Sequence, residues 1–176
     1  HCTSDRSWPG PDQPVSMEPP ELGELIRGSR AVFESLGGSK EILAAEQPTM
    51  MVDCATLTGA ARVALGPDLP ALFCNDDVLA QDLVAAGEAV TDPMWRMPLF
   101  APYKRLLDSK VADLNNVSGG AFGGAITAAL YLQAFVPDSV PWAHFDMMAW
   151  NSTSRPGRPE GGEAQAARAI FAAIEK

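Results

Sequence analysis

The segment VDCATLTGA, Val52 to Ala60, joins an apolar run to a polar Thr-Leu-Thr-Gly turn. The run starts at Met50 and is typical of a buried strand, and the turn reverses the chain. At the carboxyl end of a strand in an α/β sheet, free backbone groups can face a ligand crevice, and Gly59 permits close approach of a ligand. Taken alone, a strand followed by an ordinary turn is the simpler interpretation, so the rest of the chain has to decide.

Composition and charge are those of one acidic globular domain. The 176 residues are 47% hydrophobic and 20% charged, which is enough apolar material for a sizeable core. A net charge of −9 opposes binding to nucleic acid or to anionic membranes, because both would repel the chain. No apolar run approaches the roughly 20 residues of a membrane span, and the first residues lack the pattern of a signal peptide. We therefore expect a soluble, cytoplasmic protein.

The three cysteines, Cys2, Cys54 and Cys74, are an odd number at wide spacing. Cys54 and Cys74 lie in apolar, strand-like runs, which favours free thiols in a reducing compartment over disulfides. We therefore predict that both of these thiols are buried.

Proline and glycine divide the amino-terminal part of the chain. Residues 1–20 contain five prolines and little apolar periodicity, which predicts an irregular or disordered arm. A single α/β domain is expected over residues 21–176. It begins with an amphipathic helix in ELGELIRGSRAVFESLGG, stopped by the glycine pair at 37–38, and residues 41–47 are expected to add a helical turn.

Beyond Pro48, apolar runs alternate with helical patterns. The runs Met50–Cys54, Ala71–Cys74 and Trp142–Met147 predict strands of one mixed sheet, and Ala125–Val136 is apolar nearly all round, which predicts a buried helix on that sheet. The fold class is therefore α/β, a layered mixed sheet flanked by helices.

Further elements complete this pattern. NDDVLAQDLVAAGEA predicts a helix with Asn75 as its N-cap, and MWRMPL and PYKRLLDS predict a short strand and a short helix. ADLNNVSGGAFGG is expected to be a polar connection. The buried face of the helix that follows Asn75 is expected to contain Leu79, Leu83 and Ala86. A last helix is predicted from the helical spacing of Ala167, Ile170, Phe171 and Ile174.

Two features invite chemical interpretations. GGAFGGAIT, Gly119 to Thr127, is a glycine-rich loop that enters a helix and can cradle phosphate, but it lacks the ending of a P-loop, and close helix packing explains its glycines as well. His144 lies between apolar residues without a visible nucleophile, which favours a hydrogen-bonded core histidine. Asp146, two residues on, points to the same face and is a candidate partner. Trp95, Trp142, Trp150, Met147 and Met148 are most simply core.

Recognition of a family adds what composition does not show. Five segments, in order, resemble the carboxyl-terminal part of the leucyl aminopeptidase family: VDCATLTGAARVALG, LFCNDDVLAQDLVAAGE, WRMPLFAPYKRLLDSKVADLNNV, GGAITAALYLQAFVP and WAHFDMMAWN. The resemblance covers about residues 48–176, and its ending NSTSRPGRPEGGEAQAAR is similar to a bacterial branch. It implies an incomplete aminopeptidase-type catalytic domain.

The resemblance also implies an activity and a site. Members of the family are exopeptidases with two divalent metal ions, manganese or zinc, and they remove amino-terminal residues from peptides as hexamers. By resemblance, the turn that binds the substrate's first residue corresponds to Thr56, Leu57 and Gly59, and the pocket wall corresponds loosely to Met147 and Met148. Peptides and further copies of the chain are the implied partners.

The metal ligands implied by the family have no counterpart here. Its two ligand motifs, GKGxTxDxGG in character and NTDAEGR, are absent from the chain, although EILAAEQP, Glu41 to Pro48, resembles the tail of the helix that follows NTDAEGR. Glu34, Glu41 and Glu46 lack the spacing to converge on two ions. Glu160 and Glu163 offer at most weak cation binding in a glycine loop. We therefore expect no catalytic and no metal-binding residue in this chain.

The sequence leaves three hypotheses. The first is a truncated aminopeptidase domain that keeps the substrate-binding turn and does not hydrolyse peptides by itself. The second is a noncatalytic scaffold or assembly module, expected to be a dimer or larger because half of a layered domain exposes apolar surface. The third, of lesser weight, is phosphate binding at the glycine-rich loop.

Overall fold

A computed structural model describes residues 48–118 and 120–175. The proline-rich arm, the first predicted helix and the helical turn at 41–47 lie outside these ranges. In chain order the elements are β1 Met51–Ala55, α1 Gly59–Leu65, β2 Ala71–Cys74, α2 Asp77–Ala89, β3 Trp95–Arg96, a 3-10 helix Ala101–Leu107, α3 Gly124–Gln133, β4 Trp142–Asp146, β5 Trp150–Asn151, β6 Gly161–Gly162 and α4 Ala167–Ile174. No helix in the described residues is long and apolar enough to cross a membrane.

The main sheet has the strand order β1-β4-β2-β3. β4 lies inside the sheet and pairs parallel with β1 and antiparallel with β2, while β2 pairs parallel with β3. The predicted mixed sheet is therefore confirmed, with the three long strands within a residue of their expected bounds. β5 and β6 form a separate two-stranded sheet. Because β4 is hydrogen bonded to β1 on one side and to β2 on the other, a residue at its carboxyl end is anchored in the interior of the sheet.

Helices cover both faces of the main sheet. Side chains alternate along a strand, so neighbouring residues of β4 contact opposite layers. One face packs against α2 and α4, and the other packs against α1 and α3. The first layer contains Leu72, Cys74, Ala80, Leu83, Met94, Ala143, Phe145, Met147, Ala166 and Ala169, and the second contains Met51, Ala61, Ala71, Phe73, Ala125, Ala129, Leu132, Val136, Val140 and Trp142.

The buried helix predicted at Ala125–Val136 is confirmed as α3, although it ends at Gln133. The glycine loop before it has a packing role. Gly123 has a φ of 69°, in the left-handed region, and a Cβ there would stand 3.0 Å from the Tyr103 ring. A Cβ on Gly124 would stand 3.4 Å from the Cβ of Ala60, because α1 and α3 approach closely. The close-packing interpretation thus accounts for two glycines of the loop.

The predicted N-cap of α2 is wrong by one residue. Asp76 caps the helix, and its carboxylate accepts a hydrogen bond from the Leu79 N–H at 2.8 Å. Asn75 instead binds the start of β4 and the loop that precedes β4. Its side-chain amide accepts a hydrogen bond from the Trp142 N–H at 2.7 Å and donates one to the Val140 carbonyl at 3.0 Å. Both residues are competent caps, and the tertiary contact with β4 decides between them.

Several predicted core positions are exposed. Trp142 and Met147 are buried as predicted, but the predictions for Trp95 and Trp150 are wrong, because both lie on short strands that have an open face. Cys74 is buried, whereas Cys54 is exposed. On α4, Ala169 is buried and Ile170 packs against the core, whereas Ala167, Phe171 and Ile174 are exposed. In each case an apolar pattern was present without a second layer of described residues to cover it.

Candidate functional site

The Thr-Leu-Thr-Gly turn is held by a carboxylate from the end of β4. Asp146 Oδ1 accepts hydrogen bonds from the Leu57 N–H at 3.2 Å and the Thr58 N–H at 3.1 Å, and its Oδ2 accepts from the Thr58 hydroxyl at 2.5 Å. Asp146 is buried, and its charge is met by three donors from one turn. The turn therefore has one defined conformation on the sheet.

Thr58 also fixes the start of helix α1. Its hydroxyl accepts a hydrogen bond from the Ala61 N–H at 3.1 Å, which makes Thr58 the N-cap of the helix. The same hydroxyl oxygen thus donates to Asp146 and caps α1. Neither α1 nor the role of Asp146 was predicted from the sequence, although a threonine before an alanine-rich segment is an N-terminal helix signal.

The predicted site residues lie together on the outer side of this turn. Thr56 and Gly59 are exposed, and Leu57 is 42% exposed. The Thr56 hydroxyl donates to the Met148 carbonyl at 3.4 Å, which brings the half-buried Met148 to the edge of the turn. Met147 is in the core and does not reach this surface. Within the described ranges, nothing accepts from the Gly59 N–H or donates to the Leu57 carbonyl.

The suggested pairing of His144 with Asp146 is wrong. His144 is fully buried, and its Nδ1 lies 2.5 Å from Asp53 Oδ1, directly across the β1–β4 pair. The Trp142 indole N–H donates to Asp53 Oδ2 at 2.7 Å, and the His144 ring stacks between Trp142 and Phe73. His144 is therefore a hydrogen-bonded core histidine, as predicted, with a different partner.

The described residues do not fit a metal centre. Within 48–118 and 120–175, no three histidine, cysteine, aspartate or glutamate side chains are placed to hold an ion. The acids nearest the turn, Asp53 and Asp146, are both occupied by hydrogen-bond donors. Glu163 lies 3.5 Å from the Arg158 guanidinium, so its charge is paired with a cation.

The comparison with family models decides the family. The model described as the cytosol aminopeptidase family catalytic domain matches residues 41–171. The chain belongs to the cytosol aminopeptidase family. The match starts at Glu41, within the segment that resembles the helix tail after NTDAEGR. A second model, that of the NeuB family, matches residues 1–41, so the family similarity changes at this residue.

Relatives in the cytosol aminopeptidase family are much longer than this chain. A probable cytosol aminopeptidase of Roseiflexus castenholzii is 46% identical over 130 residues, which are 72% of this chain and 26% of that protein. One from Acidovorax ebreus is 51% identical over 120 residues, 65% of this chain and 24% of that protein. The chain therefore spans about a quarter of the length of these curated relatives.

Two solved structures share the fold of this chain. The cytosol aminopeptidase of Coxiella burnetii is 57% identical, with a TM-score of 0.73 over 77% of this chain and 30% of that chain. The bottromycin maturation enzyme BotP in complex with Mn is 42% identical, with a TM-score of 0.69 over 74% of this chain and 30% of that chain. These neighbours confirm the predicted fold class.

The thiol of Cys54 provides a test of this edge of the structure. Although Cys54 is exposed as a residue, partial desolvation of its thiol, followed by the neighbouring Asp53 charge, raises the pKa of Cys54 to about 11. We expect iodoacetamide to alkylate Cys54 about a hundredfold more slowly at pH 7.5 than a free cysteine, since the thiolate reacts. The rate should rise with a midpoint near pH 11, measured by mass spectrometry in a Cys2→Ser chain.

The same shift has a consequence for stability. The folded thiol keeps its proton above the unfolded pKa of about 8.5, so its contribution to stability is present below that pH and is lost as pH rises toward 11.

Cys54→Ser is the control for the labelling experiment, and it should remove the alkaline labelling at this position. Labelling at pH 7.5 at the rate of a free cysteine would contradict the described environment of Cys54.

Proposed function

We propose that this chain forms the part of an aminopeptidase that receives the amino-terminal residues of a peptide. The observation that carries the proposal is the turn held by Asp146, whose outer side presents Thr56, Leu57 and Gly59. Membership of the cytosol aminopeptidase family supports peptides as the ligand class. Because the chain spans a quarter of its relatives, this function belongs to a portion of such an enzyme.

Backbone groups and a side-chain wall make the turn suitable for a peptide. The Gly59 N–H and the Leu57 carbonyl have no partner in the described residues, and they are a donor and an acceptor that an extended peptide backbone can satisfy. The absence of a Cβ on Gly59 lets that backbone approach. Asp146 fixes the groups before binding, so little conformational entropy is lost when a ligand binds. Met148 supplies an adaptable apolar wall beside Thr56.

Binding and positioning are the part of the chemistry that this chain performs under the proposal. Metal-assisted hydrolysis requires fixed ligands that lower the pKa of a bound water and leave a position for substrate. The family implies two divalent ions, manganese or zinc, and the described residues offer no group to hold them. Orientation alone leaves most of the barrier in place, so the chain is proposed to bind peptides without cleaving them.

A noncatalytic assembly module is the second candidate. Phe171 and Ile174 are 62% and 60% exposed on α4, where they lie on the side of the helix away from the core. Large exposed apolar side chains on one helix indicate a surface that another copy can cover. A dimer or larger species in light scattering would support this candidate, and it is compatible with cytoplasmic hexamers, as the family resemblance implies. Phosphate binding at the glycine loop has less support, because packing explains Gly123 and Gly124.

The binding proposal predicts a local response to peptide. In a titration of the 15N-labelled chain with leucyl-leucine amide, we expect amide shifts at Thr56, Leu57 and Gly59, since these groups meet the peptide. Thr56→Arg should abolish the response by filling the site. Val63→Arg is the matched control, because Val63 is 90% exposed on α1, and it should bind as the parent does. Equal loss in both variants, or no shifts at the turn, would overturn the proposal.

The proposal also predicts that the chain shows no turnover. With manganese, zinc or cobalt added, the purified chain should not cleave leucine anilide, and calorimetry should not detect two tight metal equivalents, because the described residues contain no preformed group of metal ligands. The complete Coxiella burnetii relative serves as the positive control for the assay. Turnover by this chain that Thr56→Arg removes, or two tightly bound ions per chain, would contradict the prediction.

A further inference from the structure

An arginine lies over the outer side of the Thr-Leu-Thr-Gly turn, which is proposed to bind peptides. Arg62 is on the short helix α1, and its Nη1 lies 2.9 Å from the Met148 sulfur. A Cβ placed on Gly59 would stand 4.0 Å from Arg62 Nη2. The guanidinium therefore lies above Gly59 and against Met148, two of the residues that the site was predicted to use.

This guanidinium has no acidic partner in residues 48–118 and 120–175. The sulfur of Met148 is a weak acceptor and leaves most of the five donors of Arg62 without an acceptor among the described residues. Asp146 is the acid that holds the same turn, and its oxygens already accept from Leu57 and Thr58. Four of the other five arginines of the described chain pair with carboxylates: Arg96 with Asp77, Arg155 with Asp68, Arg158 with Glu163 and Arg168 with Asp92. The fifth, Arg105, is an exposed arginine of the 3-10 helix and lies outside the turn.

We propose that Arg62 makes this site selective for peptides with a carboxylate beside the first peptide bond, on the first or the second side chain. A guanidinium matches a carboxylate with two parallel hydrogen bonds, whereas it offers a neutral amide less. The inference rests on the proposed function, because it assigns a preference to the same turn. It makes Arg62 a specificity-determining residue in a chain whose net charge of −9 otherwise disfavours acidic ligands.

The size of the effect depends on the exposure of Arg62. An exposed ion pair is screened by water and salt, so the carboxylate should improve affinity by about two- to fivefold over its neutral isostere. The preference should shrink at high salt, because charge carries it. A preference that came from shape alone would keep its size.

The test uses four dipeptide amides titrated into the full 15N-labelled chain. Glu-Leu-amide and Leu-Glu-amide place the carboxylate on the first and second side chain, and each is compared with its glutamine counterpart. The amide shifts of Leu57 and Gly59 report binding at the turn. The variants are Arg62→Met, which removes the charge and keeps the length, Arg62→Lys, which keeps the charge, and Arg105→Met, a control at an exposed arginine of the 3-10 helix.

We expect one glutamate peptide to bind about two- to fivefold more tightly than its glutamine counterpart, and the position that does so identifies the side chain that Arg62 meets. The preference should disappear in Arg62→Met, persist in part in Arg62→Lys and remain in Arg105→Met. If glutamine and glutamate peptides bind equally to the parent chain, or if the preference survives Arg62→Met, the inference is wrong and the proposed function stands. If no peptide shifts the turn, the proposed function itself is wrong, and the inference falls with it.

Discussion

The contact between Asp146 and the Thr-Leu-Thr-Gly turn is the interaction on which the site depends. It joins the carboxyl end of the interior strand β4 to the end of β1 and, through the Thr58 hydroxyl, to the start of α1. A buried carboxylate is costly unless it is hydrogen bonded, and here three donors of one turn offset that cost. The charge stabilises one conformation of the turn and so fixes the positions of its outer backbone groups, as the proposed peptide binding requires.

A second buried carboxylate stabilises the sheet beneath the turn. Asp53 on β1 accepts from the Trp142 indole and contacts His144 Nδ1, both on β4. These contacts reinforce a parallel strand pair in which β1 has no further partner in the described sheet. The two acids thus have different tasks: Asp53 ties the two strands together, and Asp146 orders the turn at the end of β1. Neither is available to ligate an ion without breaking those contacts.

The fold was largely predictable from sequence because it rests on local patterns. Apolar runs located β1, β2 and β4, and the uninterrupted apolar helix α3 was recognised from its lack of a polar face. The predictions that failed depend on partners distant in sequence. Asn75 was expected to cap a helix and instead binds β4, and Phe171 fits an apolar face that the described chain does not cover.

The site was predictable only in part. The resemblance to the family led to Thr56, Leu57, Gly59 and Met148, and the structure places them around one turn. Asp146 was noticed as a strand residue, but its partners lie 88 and 89 positions away, and no spacing rule links them. The location of Arg62 over Gly59 likewise depends on how α1 leaves the turn, and α1 itself was not predicted.

Hydrogen exchange at the Leu57 and Thr58 amides tests the central claim, that Asp146 orders the turn. In the parent chain both amides should be protected, and in Asp146→Ala their protection should fall at least about tenfold, because the acceptor is gone. The Leu83 amide in α2 should remain protected, which shows that the variant is still folded. Protection at Leu57 and Thr58 that persists in a folded Asp146→Ala chain, or that is absent from the parent, would contradict the account.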